Sequence, residues 1–148
     1  MSGYEHRQFG TLNVVIMSFA FVILAAIALY EPEARRPVLY VSAGALLALF
    51  LFSSLTVEVT EEHLRWRFGP GLIRGKTALA NIADVRADSS GFSDGWGIHY
   101  TSRGWLFNVS GTRVVVVRLT NGRQFMLGTD EPEQLRDAIK QALASGRR

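Results

Sequence analysis

The 148-residue chain contains no cysteine. That excludes disulfide staples, thiol nucleophiles, iron–sulfur clusters and thiolate zinc sites, and it leaves the redox compartment open. Charge is sparse at 20% of residues against 48% hydrophobic, so a disordered chain does not fit. Neither sign dominates, because 16 Lys and Arg against 13 Asp and Glu leave a net charge of +3. Lysine is almost missing, with Lys76 and Lys140 beside fourteen arginines. A mass of 16.4 kDa has room for one domain, or for a smaller domain with an attachment, and rules out a multidomain enzyme.

The apolar excess is concentrated. Thr11–Tyr30 and Pro37–Val57 are uncharged runs of at least twenty residues, and as a helix each covers roughly 30 Å, the thickness of a bilayer core. Neither shows the polar stripe at a 3.6-residue period that a helix in water needs. The expectation is a transmembrane hairpin over 11–57, with residues 1–10 a cytoplasmic N-terminal segment and 58–148 a cytoplasmic domain. Ala26-Ile27-Ala28 has the small-residue spacing of a signal-peptide cleavage site. Against that reading, Arg7 alone supplies positive charge ahead of the run, and the run is longer than a signal's usual core. Arg7, Arg65, Arg67 and Arg74 flank the spans on one side, and Arg35 and Arg36 sit in the connector, so both termini are expected inside. Gly44-x-x-x-Ala48, with Ser42 and Ala45, offers a small-residue groove for close helix packing or self-association.

Residues 1–55 hold three Lys/Arg and three Asp/Glu, so the whole +3 belongs to residues 56–148. There the pattern changes to short alternating segments. TVEVT (56–60) and HLRWRFG (63–69) alternate at period two and read as paired strands, with Leu64, Trp66 and Phe68 on one face and His63, Arg65 and Arg67 on the other. Further strands are expected over 72–77, 85–88, 98–101 and 105–109, the last two forming a hairpin around Ser102-Arg103-Gly104. RVVVVRLT (113–120) and RQFMLG (123–128) flank Asn121-Gly122, a strong hairpin signal. Four successive valines imply a strand covered on both faces. Asp130 and Glu133 form a candidate capping pair for a closing helix, whose Leu135, Ala138, Ile139, Ala142 and Leu143 recur at helical spacing.

The run GWGIHYTSRGWLFNVSG, the valine-rich strand, LTNGRQFMLGTDEP and the closing helix resemble the bacterial pleckstrin-homology-like membrane proteins, also called membrane-flanked domain proteins. The resemblance covers Thr56 to about Leu143, is most specific over Gly95–Pro132, and extends to the preceding pair of spans. It implies an α+β architecture: a split antiparallel β-barrel of about seven strands, capped by a C-terminal helix and held beneath a bacterial inner membrane. It implies no common activity. The inositol-phosphate site of eukaryotic pleckstrin-homology domains does not carry over. Arg65-x-Arg67 matches the end of that pattern, but Glu58 and Glu61-Glu62 would repel a polyphosphate.

Two groups remain as candidate sites. Arg65, Arg67, Arg74 and Lys76 are candidate lipid-facing bases, since each basic group near an anionic leaflet contributes about 1 kcal/mol. Their alternative is an ordinary solvated sheet face. Phe92, Trp96, Tyr100, Trp105 and Phe107 crowd five aromatics into sixteen residues, interleaved with Asp94, His99 and Arg103. Trp96, His99, Arg103 and Trp105 are the candidate partner-binding residues, with aromatic core filling as their alternative. His6, His63 and His99 lack ligand spacing, so no metal or cofactor is expected. Ser93-Asp94 near His99 has no nucleophile elbow, and Gly91-x-x-x-Gly95-x-Gly97 has no phosphate-loop lysine. A surplus of +3 makes no nucleic-acid stripe. Asn108-Val109-Ser110 is a glycosylation triplet with meaning only in a eukaryotic lumen. The expected function is a non-enzymatic, membrane-anchored interaction or scaffold module binding a protein partner or its own copy. A reader of anionic lipid headgroups is the alternative.

Overall fold

A computed structural model describes residues 3–91 and 97–146. The two uncharged runs form helices α1 (Thr11–Tyr30) and α2 (Arg35–Leu51), joined by a 3₁₀ turn over Pro32–Ala34. Both helical segments are long and apolar enough to cross a membrane. No residue of either is buried, the display expected where the solvent is lipid and every backbone group bonds within its own helix. The two helices lie side by side, and their partly covered positions include Met17, Leu24 and Ala28 on α1 and Val38, Ser42 and Ala45 on α2. Arg35 closes the turn by donating from Nε to the Ala28 carbonyl at 3.1 Å. Ser42 and Ala45 are partly covered, and a Cβ added to Gly44 would touch nothing within 4 Å.

Two boundaries differ from expectation. The second run leaves the helix at Leu51 instead of continuing to Val57, and its last part becomes strand β2 (Ser54–Val59). Ser54–Val57 is buried on both faces, so an interior strand and an exposed apolar helix share one composition here. Residues ahead of α1 are not a tail. Tyr4–Phe9 is strand β1, antiparallel to β2 from Tyr4 opposite Val59 to Phe9 opposite Ser54. Its inward positions are Tyr4, His6 and Gln8, so no apolar alternation marks it.

The helical hairpin is therefore an excursion between two adjacent strands. Gly10 alone separates β1 from α1, and Phe52 and Ser53 alone separate α2 from β2. The Gly10 N–H donates to the Ser53 carbonyl at 2.9 Å. Asn13, inside the first turn of α1, donates to the Val109 carbonyl at 2.9 Å. The joint is hydrogen-bonded on both legs, and the β1–β2 ladder puts the segment ahead of the hairpin and the sheets behind it on the same side.

β1 and β2 continue through β3 (His63–Phe68) and β4 (Ile73–Ala78) into a four-stranded antiparallel sheet. A 3₁₀ turn over Leu79–Asn81 then carries the chain to a second layer, with the Leu79 N–H bonded to the Glu62 carbonyl at 2.8 Å. That layer contains β5 (Ile82–Ser89), β6 (Gly97–Thr101), β7 (Gly104–Asn108), β8 (Arg113–Leu119) and β9 (Gln124–Gly128). Its strand order is β5-β8-β9-β7-β6, with β7 and β9 parallel and the other pairs antiparallel. The architecture is α+β, as expected. The described residues form nine strands in two sheets rather than seven in a barrel, and the sheets do not close on each other. β4 and β5 part at the Leu79–Asn81 turn, and β1 extends the first sheet at the edge away from β4.

The core fills the space between the sheets. Leu55, Val57, Leu64, Trp66 and Phe68 from the first meet Val115, Val117, Phe125 and Leu127 from the second. Helix α3 (Pro132–Ser145) closes one side with Leu135 and Ile139, both fully buried. The expected cap does not form. Pro132 occupies the first turn and has no amide to satisfy, and no side chain caps the helix. As the valine run implied, the second sheet is covered on both faces: Val114 and Val116 join Leu106 and Met126 in a separate buried cluster.

Candidate functional site

The outer face of the first sheet follows from strand parity. Where Leu64, Trp66 and Phe68 point inward, Arg65 and Arg67 point outward, and the antiparallel register extends that face across all four strands. One row reads Arg7, Thr56, Arg67, Arg74; the row two residues further along the strands reads Glu5, Glu58, Arg65, Lys76. All four expected basic residues thus share one surface, in two rows of different chemistry. They line a trough of about 760 Å³ together with Glu5 and Glu58.

Arg67 donates from Nη2 to Glu5 Oε1 at 3.2 Å, a pair more than half exposed on both sides and so worth little in stability. Arg7 donates from Nε to Ser54 Oγ at 3.0 Å, and its Cζ lies 4.9 Å from the Phe9 ring centroid. Among the described residues Arg65, Arg74 and Lys76 have no ion-pair partner. Beneath this face Trp66 lies opposite Gly75 on β4, where any Cβ would run into the indole. The indole packs 4.9 Å from Phe125 and 5.3 Å from Phe107, which joins the two sheets.

The toes of the first sheet lie against the helices. Gly69, at φ +44°, fits a turn that L side chains disfavour, and a Cβ there would come within 2.6 Å of the carbonyl oxygens of both Phe50 and Leu51. Its N–H bonds to the Ser54 carbonyl at 2.8 Å. In the same turn Leu72 is 77% exposed, and Phe9, at the end of β1, is 61% exposed. Parity alone could have found this fringe, since Phe9 follows Arg7 and Leu72 precedes Arg74 on the outward positions.

The second group separates. Tyr100 and Trp105 face each other across β6 and β7, rings 5.6 Å apart and edge-on, 71% and 42% exposed. Trp105 also stacks toward Phe107 at 6.5 Å, so an aromatic chain runs from the core to the β6 edge. His99 is opposite Leu106 on the other face of the sheet, and its Nε2 is buried with no hydrogen-bond partner among the described residues. Arg103 is held rather than presented. Its guanidinium reaches Asp88 Oδ2 at 3.3 Å and the Ser89 carbonyl at 3.0 Å, and its carbonyl accepts Gln124 Nε2 at 2.7 Å. That ties the β6–β7 turn to β5. Trp96, together with Phe92 and Asp94, lies outside the described residues.

A third cluster was not legible in the sequence. His6 Nε2 is 2.6 Å from Asp130 Oδ1 and its Nδ1 is 3.3 Å from Glu131 Oε2, so the capping candidate Asp130 instead fastens β1 to the foot of α3. Beside them burial pushes the Tyr4 hydroxyl up to about 12, with the charges of Glu131 and Asp130 adding to the rise. No group of three or more acidic or histidine side chains among the described residues could hold a metal ion. Asn108, of the glycosylation triplet, is fully buried and bonds to the Gly111 carbonyl at 2.9 Å.

Compared with protein-family models, curated proteins and solved structures, the chain gives no match in any of the three.

Proposed function

We propose that the chain is a non-enzymatic interaction module of the bacterial inner membrane, held by its hairpin with both ends in the cytoplasm. In this reading its pleckstrin-homology-like sheets offer the β6 edge to a protein partner or to a second copy. The observation that carries it is that edge: among the described residues β6 ends the second sheet, and the exposed Tyr100 and Trp105 stand beside it. A free strand edge is a template for strand addition, and large aromatic side chains supply contact energy at little cost in rotamer freedom. The linker-free joint supports a scaffold role, since a partner on β6 would be held at a set height above the lipid. Orientation rests on arginine. Pairing of β1 with β2 groups Arg7 with Arg65, Arg67 and Arg74, against Arg35 and Arg36 at the opposite end of the hairpin.

Reporters active only in the cytoplasm, fused in turn to each end of the full chain, should both be active. Activity at one end alone would break the β1–β2 architecture, and silence at both would invert the orientation. A photocrosslinking residue at Tyr100 should give one discrete adduct in cells, either a partner or a dimer, that disappears with Trp105→Ala. No adduct, or one indifferent to Trp105, overturns the binding role.

A further inference from the structure

The two rows of the first sheet's outer face differ in distance from the helices, and that difference assigns them different work. The positions nearest the helix ends carry Phe9 and Leu72 at the two flanks of the sheet, with Ser54 and Gly69 between them. Two residues along each strand, at most about 7 Å further from the helices, comes the row Arg7, Arg67, Arg74. The headgroup layer of one leaflet is roughly 5–8 Å thick, so the order from lipid outward is apolar fringe, then guanidinium row. Glu5, Glu58, Arg65 and Lys76 come about another 7 Å out, beyond the headgroups and near the limit set by a screening length of about 8 Å at physiological salt. The carboxylates that argue against a polyphosphate site therefore stand off from the leaflet, and the row facing it has no acidic member.

Chemistry agrees with position. All three basic side chains in the near row are arginine, whose planar fork matches the two free oxygens of a phosphodiester, while the lysine of this face, Lys76, is in the far row. Of the near row, Arg74 has no ion-pair partner among the described residues, and Arg67 is held by an exposed pair with Glu5 that a phosphate can replace. We propose that Arg7, Arg67 and Arg74, with Phe9 and Leu72 seated in the interface, form a contact site for the headgroups of anionic phospholipid in the leaflet that holds the hairpin. The site selects lipid next to the protein and sets the roll of the sheets about the helix axes. This rests on the reading that α1 and α2 span a bilayer.

The absence of cysteine allows single-site labels on the full chain. With Pro70→Cys, in the same exposed turn, carrying a fluorophore in lipid nanodiscs, quenching is compared between headgroup-spin-labelled phosphatidylglycerol and headgroup-spin-labelled phosphatidylcholine at equal mole fraction. The expected result is about threefold stronger quenching by the anionic analogue, lost in R67Q/R74Q and in high salt, kept in R65Q/K76Q, and increased in Glu5→Gln, which frees Arg67. Equal quenching by the two analogues, or a preference that survives R67Q/R74Q or falls equally in R65Q/K76Q, overturns the site. A second label at Val22→Cys with acyl-chain-labelled lipid reports on the spans themselves. Quenching there with no headgroup preference at Pro70→Cys rejects the site alone, and no quenching at Val22→Cys rejects the spanning reading and the site together.

Discussion

The two sheets obey the same pleat and are dressed in opposite ways. Outside the buried strand β2, the four-stranded sheet buries one face and shows charge on the other, so Arg65, Arg67, Arg74 and Lys76 alternate with residues that pack inside. The five-stranded sheet buries both faces in its middle, with Val114 to Val117 covered throughout, and exposes apolar surface at one edge, at Tyr100 and Trp105. A sheet wet on one side can carry a polar surface without cost to its core. A sheet dry on both sides has only its rims to offer, and the β6 rim is aromatic where the β5 rim carries Asp84 and Arg86.

The contrast predicts a large difference in sensitivity to truncation. Met126→Ala, in the cluster on the far face of the second sheet, should cost about 2–5 kcal/mol, whereas Arg65→Ala on the outer face of the first should stay within about 0.5 kcal/mol. Denaturant titration of the two variants in the same detergent reads this directly, and equal losses would erase the distinction between the sheets. Next in size, Gly75→Ala forces a methyl against the Trp66 indole and should cost about 1–3 kcal/mol by overpacking, with a shift in tryptophan emission. An unchanged spectrum and midpoint would mean that the first sheet does not press on its neighbour through Trp66.

The smallest effect concerns the edge strand β1. Because the Tyr4 hydroxyl is pushed up to about 12 from an ordinary value of 10, the folded protein holds that proton after the unfolded chain has released it. Stability from this group is intact below pH 10 and declines as pH rises from 10 to 12. Tyr4→Phe should flatten that limb of the stability profile and leave neutral pH unaffected by ionisation. The same alkaline slope in both proteins would place its origin elsewhere.

Legibility in the sequence tracked how local each signal was. The helices, the Asn121-Gly122 hairpin, the doubly covered valine strand and the shared outward face of the four basic residues all follow from spacing within a dozen residues. β1 did not, because Tyr4, His6 and Gln8 take the inward positions and leave no apolar alternation. The end of α2 did not, because Ser54–Val57 is as free of charge as the apolar run before it. The division into two sheets and the parallel β7–β9 pair depend on contacts distant in the chain. Arg103 shows the same limit within the candidate site. Its sequence neighbours suggested a presented cation, and what holds it is Asp88, fifteen residues earlier.

The strand-to-strand excursion also constrains the order of assembly. β1 is synthesised more than forty residues ahead of its partner β2, and between them lie both apolar helices. For a chain whose helices enter the bilayer, threading the hairpin brings Gly10 back beside Ser53 before any sheet exists, which removes most of the entropic penalty for closing so long a loop. On the proposed spanning reading, insertion of the hairpin is thus the step that brings β1 within reach of β2.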